Sequence, residues 1–420
     1  MAASLDHPNK TTGPTWSLRT VPREWQRSAL KEWLRNSRGV VSVVTGGGKT
    51  IFAFLCINEF RKLHPAGQIV ILVPTLTLLD QWYVSFQEDF GVPQESIACF
   101  SSQEKHENLK AVNIIVINTG RKLVQAIASH DSTFLIVDEC HHAGSPENAK
   151  ALRGKFVATL GLSATPQREY DTGFEEYVVP VLGPIIFEYD YTEALRERVV
   201  APFNLVNVKV DLLPEEQNKY DRLTKRIAAI LRRSKGAIDH EDKLKRILQQ
   251  RASISATARM RLPVSAKIVE EQRGVRTIVF HERIKSARGL FDVLQRRKHS
   301  VCLYHSQMAP EVRRDNLRLF RRGVFDVLVA CRALDEGMNV PEASLAIIAS
   351  STASYRQRIQ RFGRVLRPSR DKKRATIYTL YATEVEKRRL VAEANELDGV
   401  ASVTWSAAKR KSSESDLKNG

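Results

Sequence analysis

The sequence has 420 residues, 43% hydrophobic and 27% charged, which is enough for two globular domains with cores of their own. Lys and Arg number 65 against 47 Asp and Glu, and the net charge of +18 indicates a polyanionic partner such as nucleic acid. There is no apolar signal segment, no apolar run near the ~18 residues of a membrane span and no C-x-x-C pair among five scattered cysteines. These features argue against secreted, membrane and disulfide-framework classes, and we expect a reduced, cytoplasmic protein without membrane association.

Short apolar runs alternate with amphipathic segments through the first half of the chain. An amphipathic helix is predicted at 51–63. Strand–helix alternation predicts a parallel sheet covered by helices on both faces. The predicted strands lie at 39–45, 68–75, 113–119, 133–139 and 156–165.

The same alternation restarts near residue 273, so the fold class is α/β with two similar domains in tandem. Helices are predicted at 284–297 and 311–323. Strands are predicted at 276–282, 300–306, 325–331, 344–350 and 375–381.

Residues 215–270 have helical periodicity and carry 14 Lys or Arg against 7 Asp or Glu. They form either a solvated linker or a helical insert that contacts a phosphate backbone. The last residues are polar and without periodicity, so we predict that they are disordered. The predicted division is an N-terminal extension at 1–17, a first domain at 18–205, a basic helical insert at 206–272, a second domain at 273–395 and a disordered tail at 396–420.

The segment VVTGGGKT at 43–50 follows a predicted strand and opens a predicted helix, as a phosphate-binding loop does. Lys49 would reach the β- and γ-phosphates of a nucleotide, and the Thr50 hydroxyl would bind Mg²⁺. Val43 stands where the full pattern has its first glycine, so a glycine-rich turn without nucleotide is the alternative. The loop residues predicted to surround the phosphates are Thr45, Gly46, Gly47 and Gly48.

A second strand, ending in FLIVDE, places Asp138 and Glu139 at the carboxyl edge of the same sheet, where ligands bind in open α/β folds. We predict that Asp138 binds Mg²⁺ and that Glu139 activates the attacking water. A transition-metal site or a Cys–His nucleophile at Cys140 and His142 is an alternative. Structural zinc, however, needs a second pair of ligands, which the sequence lacks.

Four short motifs follow one another along the chain. They are GGGKT, DECH, GLSATP at 161–166 and QRFGRVLR at 360–367. Together they resemble the motif set of superfamily 2 helicases and translocases over roughly residues 18–385. The resemblance implies two RecA-like parallel-sheet domains, with ATP and Mg²⁺ as cofactors.

The resemblance also assigns roles to individual residues. Arg364 and Arg367, three positions apart on one helix face, would reach the γ-phosphate. Gln360 is assigned to the same catalytic set, as the residue that His141 would sense. Additional residues implied to bind the nucleotide are Arg23 and Gln26, which would contact adenine, and Gly337. Residues implied to couple ATP state to closure are His141, Ser163, Thr165 and Asp335. Residues implied to contact nucleic acid are Pro74, Thr75, Thr119, Gly120 and His281.

Within superfamily 2, the segments DECHH and LDEG and residues 181–203 are most similar to XPB-like helicases and to the motor subunits of type I and III restriction enzymes. The resemblance implies an ATP-dependent helicase or translocase that moves along nucleic acid, with DNA favoured over RNA. A partner nuclease or repair or defence protein would supply any cutting. The alternatives are an ATP-gated clamp, a motor subunit without unwinding of its own, and an RNA helicase.

Overall fold

A computed structural model describes most of the chain, in two compact units that meet in sequence at Asp190 and Tyr191. No helix among these residues is long and apolar enough to span a bilayer. The described residues are 16–44, 46–104, 108–127, 132–164, 166, 172–197, 199, 203–233, 239–331, 343–350, 375–395 and 401–407.

The first unit contains a seven-stranded sheet in which all pairings are parallel, in the order β3-β4-β2-β5-β6-β1-β7. Its central strands are apolar on both faces because helices cover both faces. The strands are β1 (Val40–Val43), β2 (Gln68–Val73), β3 (Ile97–Phe100), β4 (Val112–Val116), β5 (Thr133–Asp138), β6 (Ala158–Ser163) and β7 (Ile185–Tyr189).

Its α-helices are α1 (Glu24–Leu34), α2 (Lys49–Leu63), α3 (Leu76–Glu88), α4 (Ile117–Ile127), α5 (Pro146–Ala149) and α6 (Val179–Leu182). Shorter turns of 3-10 helix lie at Gln94–Ser96, Cys140–Ala143 and Lys150–Leu152, and a π-helical turn lies at Phe174–Val178.

The predicted α/β class is confirmed, with two differences in the first unit. Strands β3 and β7, at the two edges of the sheet, were not predicted, because each is a four- or five-residue run without a clear alternation. The strand predicted at 113–119 ends at Val116, and its last three residues begin α4 instead. A parallel strand must turn into its crossover helix at this edge, so the polar residues Asn118 and Thr119 fit a helix start better than a buried strand.

The second unit contains another seven-stranded sheet of parallel pairings, in the order β10-β11-β9-β12-β13-β8-β14. Its strands are β8 (Phe203–Lys209), β9 (Thr277–His281), β10 (Val301–Tyr304), β11 (Val327–Cys331), β12 (Leu345–Ile348), β13 (Ala375–Tyr381) and β14 (Ala401–Ala407). Its described helices are α7 (Tyr191–Arg196), α8 (Pro214–Arg233), α9 (Asp239–Ala256), α10 (Arg261–Glu271), α11 (Ile284–Arg296), α12 (Pro310–Arg321) and α13 (Glu384–Asn395).

Both ends of this unit extend beyond the predicted second domain. Strand β8 straddles the boundary predicted at residue 205 and lies inside the second sheet, between β13 and β14. The disorder predicted for 396–420 is wrong at Ala401–Ala407, which pair along their whole length with β8. Val403 and Trp405 favour a strand, and Trp405 packs edge-on against Tyr381 at 5.7 Å between ring centroids. Residues 408–420 lie outside the described residues.

The predicted insert is divided between two environments. Helices α8 and α9 pack against each other, with Ile227 and Ile247 buried, and their remaining surface is largely exposed. Helix α10 is different, since Val264 and Ile268 on its buried face belong to the core of the second unit. The basic hairpin α8–α9 is therefore the part of the insert that presents its charge to solvent.

Arg261 joins α10 to the second sheet. Its side chain is 1% exposed, and its guanidinium donates to the carbonyls of Ser255 (2.8 Å), Ala349 (2.8 Å) and Leu380 (2.7 Å). The remaining nitrogen forms an ion pair of 2.7 Å with Glu386 on α13. Three carbonyls and a carboxylate satisfy the buried cation, so the cost of desolvating it is offset.

Replacing Arg261 with methionine is expected to lower the free energy of unfolding of the second unit by about 3 kcal/mol. The variant leaves Glu386 and three buried carbonyls without their donor. Urea unfolding followed by circular dichroism measures the change. Arg318→Met is the matched control, because its pair with Asp315 is at the surface and should cost under about 1 kcal/mol. Equal losses in the two variants would contradict this role for Arg261.

Candidate functional site

The glycine-rich loop adopts a conformation that requires glycine. Gly46 has φ +81° and Gly48 has φ +105°, in the left-handed region where a side chain is disfavoured. A Cβ on Gly48 would also lie 2.8 Å from Nε2 of Gln26. Helix α2 begins at Lys49, directly after this turn, so the backbone N–H groups of its first turn lie next to the loop. The loop is thus built to bring an anionic group against a helix N-terminus.

Gln26 braces this loop from α1. It is 1% exposed, its Oε1 accepts from the backbone N–H of Arg23 at 2.8 Å, and its Nε2 donates to the carbonyl of Gly48 at 2.9 Å. These two bonds orient the amide that was predicted to read adenine. They place Gln26 in contact with the glycine-rich loop itself.

A chain of polar side chains connects the loop to the ends of β5 and β6. The Nζ of Lys49 lies 3.3 Å from Oε1 of Glu139, with side chains 11% and 9% exposed. Oε2 of Glu139 lies 3.6 Å from Nδ1 of His141, and the same Nδ1 lies 2.9 Å from Oγ of Ser163. Four residues predicted from three separate motifs are therefore in one connected array.

Asp138 has a different set of partners. Its Oδ2 accepts from Nε1 of Trp82 at 2.9 Å, and its Oδ1 accepts from the backbone N–H of Glu139 at 3.0 Å. Trp82 is a site residue that the sequence did not reveal. The segment LLDQW shows only that a tryptophan with one N–H donor is present. It does not indicate that the acceptor is a carboxylate 56 positions away.

Glu139 has φ +48° and ψ +51°, which is uncommon for a residue with a side chain and costs about 1 kcal/mol. This conformation ends β5 and starts the turn Cys140–Ala143. As a result, Glu139 lies beside Lys49 while Cys140 is directed into the core. The strain is located at the residue predicted to activate water.

Cys140 and His142 do not form a metal site or a nucleophilic pair in this fold. Burial, with the charge of Glu139 adding to it, raises the pKa of the Cys140 thiol, so it stays protonated and unreactive. His142 is exposed, its ring lies 4.4 Å from that of His141, and its carbonyl accepts from Asn148. Within the described part of the chain, no group of three or more His, Cys, Asp and Glu side chains is placed to hold a metal ion.

The neighbouring half of the same sheet edge carries two helix N-termini. Strands β2 and β4 pair in register up to Val73 and Val116, so α3 and α4 begin side by side. Pro74 and Thr75 are half-buried before α3, where the Thr75 hydroxyl caps the helix by accepting from the N–H of Leu78.

At α4, Thr119 is half-buried and Asn118 beside it is exposed. Gly120 is buried, and a Cβ there would lie 2.8 Å from Leu72, so this glycine allows the helix to pack against β2. Asn118, one position before Thr119, was not among the predicted contacts.

His281, which was predicted to contact nucleic acid, is buried. It is 4% exposed at the end of β9, and its Nδ1 accepts from the backbone N–H of Arg283. Burial, with the charge of Arg261 adding to it, lowers the pKa of His281 to about 4, so the ring is neutral at physiological pH. A buried neutral ring does not suit a phosphate contact, and we leave His281 out of the nucleic-acid site.

Seven predicted site residues lie outside the described residues. They are Thr45, Thr165, Asp335, Gly337, Gln360, Arg364 and Arg367.

Comparison with known proteins identifies similar sequences and folds. Residues 19–168 match the family described as type III restriction enzyme, res subunit, and residues 260–369 match the helicase conserved C-terminal domain. The chain is 26% identical to the DNA 3'-5' translocase XPB2 of Sulfurisphaera tokodaii, over 82% of this chain and 78% of the relative. It is 27% identical to the putative DNA 3'-5' helicase Rad25 of Haloarcula marismortui, over 87% of this chain but only 54% of the relative. Its fold resembles that of S. cerevisiae Dbp5 bound to RNA and ADP BeF3, with a TM-score of 0.61, 16% identity and coverage of 91% and 90% of the two chains.

Proposed function

We propose that this chain, which belongs to the superfamily 2 helicases and translocases of the XPB-like and type III restriction-enzyme branch, is an ATP-driven motor that moves along DNA. Helicase family matches in both halves support the enzyme class. The choice of DNA rests on relatives named as DNA translocases and helicases. The motor would work in the cytoplasm, and any cutting would come from a partner nuclease or a repair or defence protein.

The observation that carries the proposal is the array of Lys49, Glu139, His141 and Ser163 beside the glycine loop. In this arrangement Lys49 can exchange its carboxylate partner for the β- and γ-phosphates of ATP. Glu139 is then released to accept a proton from the attacking water. His141 connects that carboxylate to Ser163 at the end of β6, as a coupling residue requires.

The residues around Asp138 fit a magnesium ion. Thr50, in the first turn of α2, and Asp138, at the end of β5, would hold it. When bound, Mg²⁺ neutralises charge on the phosphates. The carboxylate of Asp138 accepts a bond from Nε1 of Trp82 and one from the backbone N–H of Glu139, which orient it, and an ionised carboxylate offers about four acceptor sites in all.

Nucleic acid would lie along the β2–β4 half of the sheet edge. The N-termini of α3 and α4 present backbone N–H groups and positive dipole ends, which suit phosphate oxygens. Pro74, Thr75 and Thr119, with Asn118 added, are the proposed contacts. Thr45, Thr165, Asp335, Gly337, Gln360, Arg364 and Arg367 keep their proposed roles on the motif resemblance alone.

ATP hydrolysis measured with single- and double-stranded DNA and RNA of equal length tests the proposal. DNA should raise turnover well above the basal rate, and translocation can be measured by displacement of a bound obstacle from the stimulating strand. No stimulation by any nucleic acid would overturn the motor function. Stimulation by RNA alone would overturn the choice of DNA, and stimulation without displacement would indicate an ATP-gated clamp.

Affinity for DNA should fall steeply with salt, because phosphate contacts release counterions. We expect a linear decrease of log affinity with log salt, with a slope of about −0.9 per phosphate neutralised. Fluorescence anisotropy of a labelled duplex at several salt concentrations measures the slope. A flat response would contradict a role for the net charge of +18 in binding.

The same titration distinguishes the two interpretations of the basic hairpin α8–α9. Arg222 and Arg226 are exposed one helical turn apart on α8, and Arg246 is exposed on α9. If the hairpin binds the phosphate backbone, replacing all three arginines with glutamine should make the slope shallower by about 0.9 for each phosphate that is no longer neutralised. An unchanged slope would identify the hairpin as a solvated element.

A further inference from the structure

The indole of Trp82 donates a hydrogen bond to the carboxylate of Asp138 from the interior of the first unit. Trp82 is 2% exposed, and its Nε1 lies 2.9 Å from Oδ2 of Asp138. Phe54 and Phe86 surround the indole, with ring centroids at 6.0 Å and 5.8 Å. This packing fixes the ring, so the position of the carboxylate is determined by a rigid neighbour.

Packing alone does not explain why the acceptor is a carboxylate. A buried tryptophan needs an acceptor for its N–H, but a backbone carbonyl is sufficient. Trp33, which is 1% exposed, donates to the carbonyl of Thr159 at the same distance of 2.9 Å. Trp82 instead uses the carboxylate proposed to bind magnesium.

The helix that carries Trp82 also reaches the proposed nucleic-acid contacts. Helix α3 begins at Leu76 with Thr75 as its cap. Thr75 and Trp82 are seven positions apart, so they lie on one face, two turns or about 11 Å along the axis. If α3 rotates or shifts as a rigid body when a ligand binds at its N-terminus, the position of the indole relative to Asp138 changes with it.

We infer that Trp82 is a positioning residue that orients Asp138 for Mg²⁺ and transmits nucleic-acid contact at the start of α3 to the ATP site. This rests on the proposed function, in which Asp138 binds Mg²⁺ and α3 contacts DNA. The indole has a donor and no acceptor, so it favours the ionised carboxylate and cannot compete with it for the metal. Groups that hold a metal ligand in this way commonly change metal affinity by 10- to 100-fold when they are removed.

The test compares Trp82→Phe with Trp33→Phe. Each variant replaces a buried indole with a smaller ring and removes one hydrogen bond of 2.9 Å. Thermal unfolding measures the structural cost, which should be similar in the two. Binding of a fluorescent ATP analogue over a range of Mg²⁺ concentrations, without turnover, measures the metal requirement. The ratio of DNA-stimulated to basal ATP hydrolysis measures the coupling.

For Trp82→Phe we expect the Mg²⁺ concentration at half-maximal analogue binding to rise about tenfold and the stimulation ratio to fall. Trp33→Phe should change neither. Equal effects of the two variants on the metal requirement, or no effect of either, would overturn the inference. An unaltered stimulation ratio in Trp82→Phe would overturn the coupling to α3.

A second variant covers the case in which Trp82→Phe does not fold. Benzothienylalanine at position 82 keeps the shape of the ring but has sulfur in place of the N–H. It should preserve thermal stability more closely and still raise the Mg²⁺ requirement. If this variant needs no more Mg²⁺ than the unmodified protein, the inference about Trp82 is wrong. The ATPase proposal would still stand, since that proposal depends on Lys49 and Glu139.

Discussion

Replacing Lys49 with alanine is expected to reduce DNA-stimulated ATP turnover by at least about 10³-fold. The Nζ of Lys49 lies 3.3 Å from Oε1 of Glu139, the carboxylate proposed to act as the base, and it is the group that would reach the β- and γ-phosphates. Binding of a fluorescent ATP analogue should weaken along with turnover, because the lysine binds the ground state as well as the transition state. Steady-state hydrolysis and analogue binding measure the two effects.

The variant also leaves Glu139 without its cation, so a loss of stability on the order of 1–3 kcal/mol is expected. The double variant Lys49→Ala, Glu139→Gln removes that buried charge. It should recover stability and remain inactive. Lys62→Ala is the matched control on the same helix, since Lys62 is exposed and paired with Glu59 at the surface. Turnover within tenfold of normal in Lys49→Ala would contradict the phosphate-binding role of the loop.

Replacing Glu139 with glutamine is expected to lower turnover by about 10³-fold while ATP-analogue binding is retained, because general-base catalysis contributes roughly 10²- to 10⁴-fold. Glutamine keeps an oxygen for Lys49 and a group of the same size in the strained turn, but it cannot accept the proton from water. The separation of binding from turnover distinguishes this variant from Lys49→Ala. Rapid-quench measurement of a single turnover shows whether the chemical step is the one that slows.

Glu147→Gln is the control for Glu139→Gln. Glu147 forms an ion pair with Lys150 at the surface of the same unit, so its replacement should leave turnover unchanged. A Glu139 variant that binds ATP poorly, or one that turns over at more than a tenth of the normal rate, would argue against Glu139 as the base.

The positions of the glycine-rich loop and of the Asp138–Glu139 pair could be predicted because each follows a mostly apolar strand. In a parallel sheet such strands end at one edge, so motifs distant in sequence come together there. The contact of Lys49 with Glu139 follows from that rule and needs no knowledge of the connecting helices.

Other parts of the site depend on tertiary packing that a linear pattern does not contain. The bond from Trp82 to Asp138 requires the spacing of β2, α3 and β5. The lowered pKa of His281 comes from its burial and from the charge of Arg261, which arrives from α10. The strained backbone of Glu139 is set by the turn that follows it, and its sequence alone would favour an ordinary strand end.

The edge strand β14 was missed for a different reason. Its residues are mostly exposed, with a burial pattern that alternates only weakly, and polar residues surround it. Its strand conformation is stabilised by pairing with β8, which is almost two hundred positions earlier, and by the contact of Trp405 with Tyr381.

The position of β8 between β13 and β14 has a consequence for biosynthesis. Phe203 must pair with Ala375 and Ala401, so β8 has no neighbouring strand until residues about 170 to 200 positions later have been synthesised. The first sheet closes over residues 40–189 and can fold on the ribosome much earlier. Pairings this distant in sequence form slowly, and until they form β8 exposes unpaired backbone on both sides. Refolding from denaturant should therefore be slower for the second unit than for the first, and aggregation during expression should increase when translation ends before residue 401.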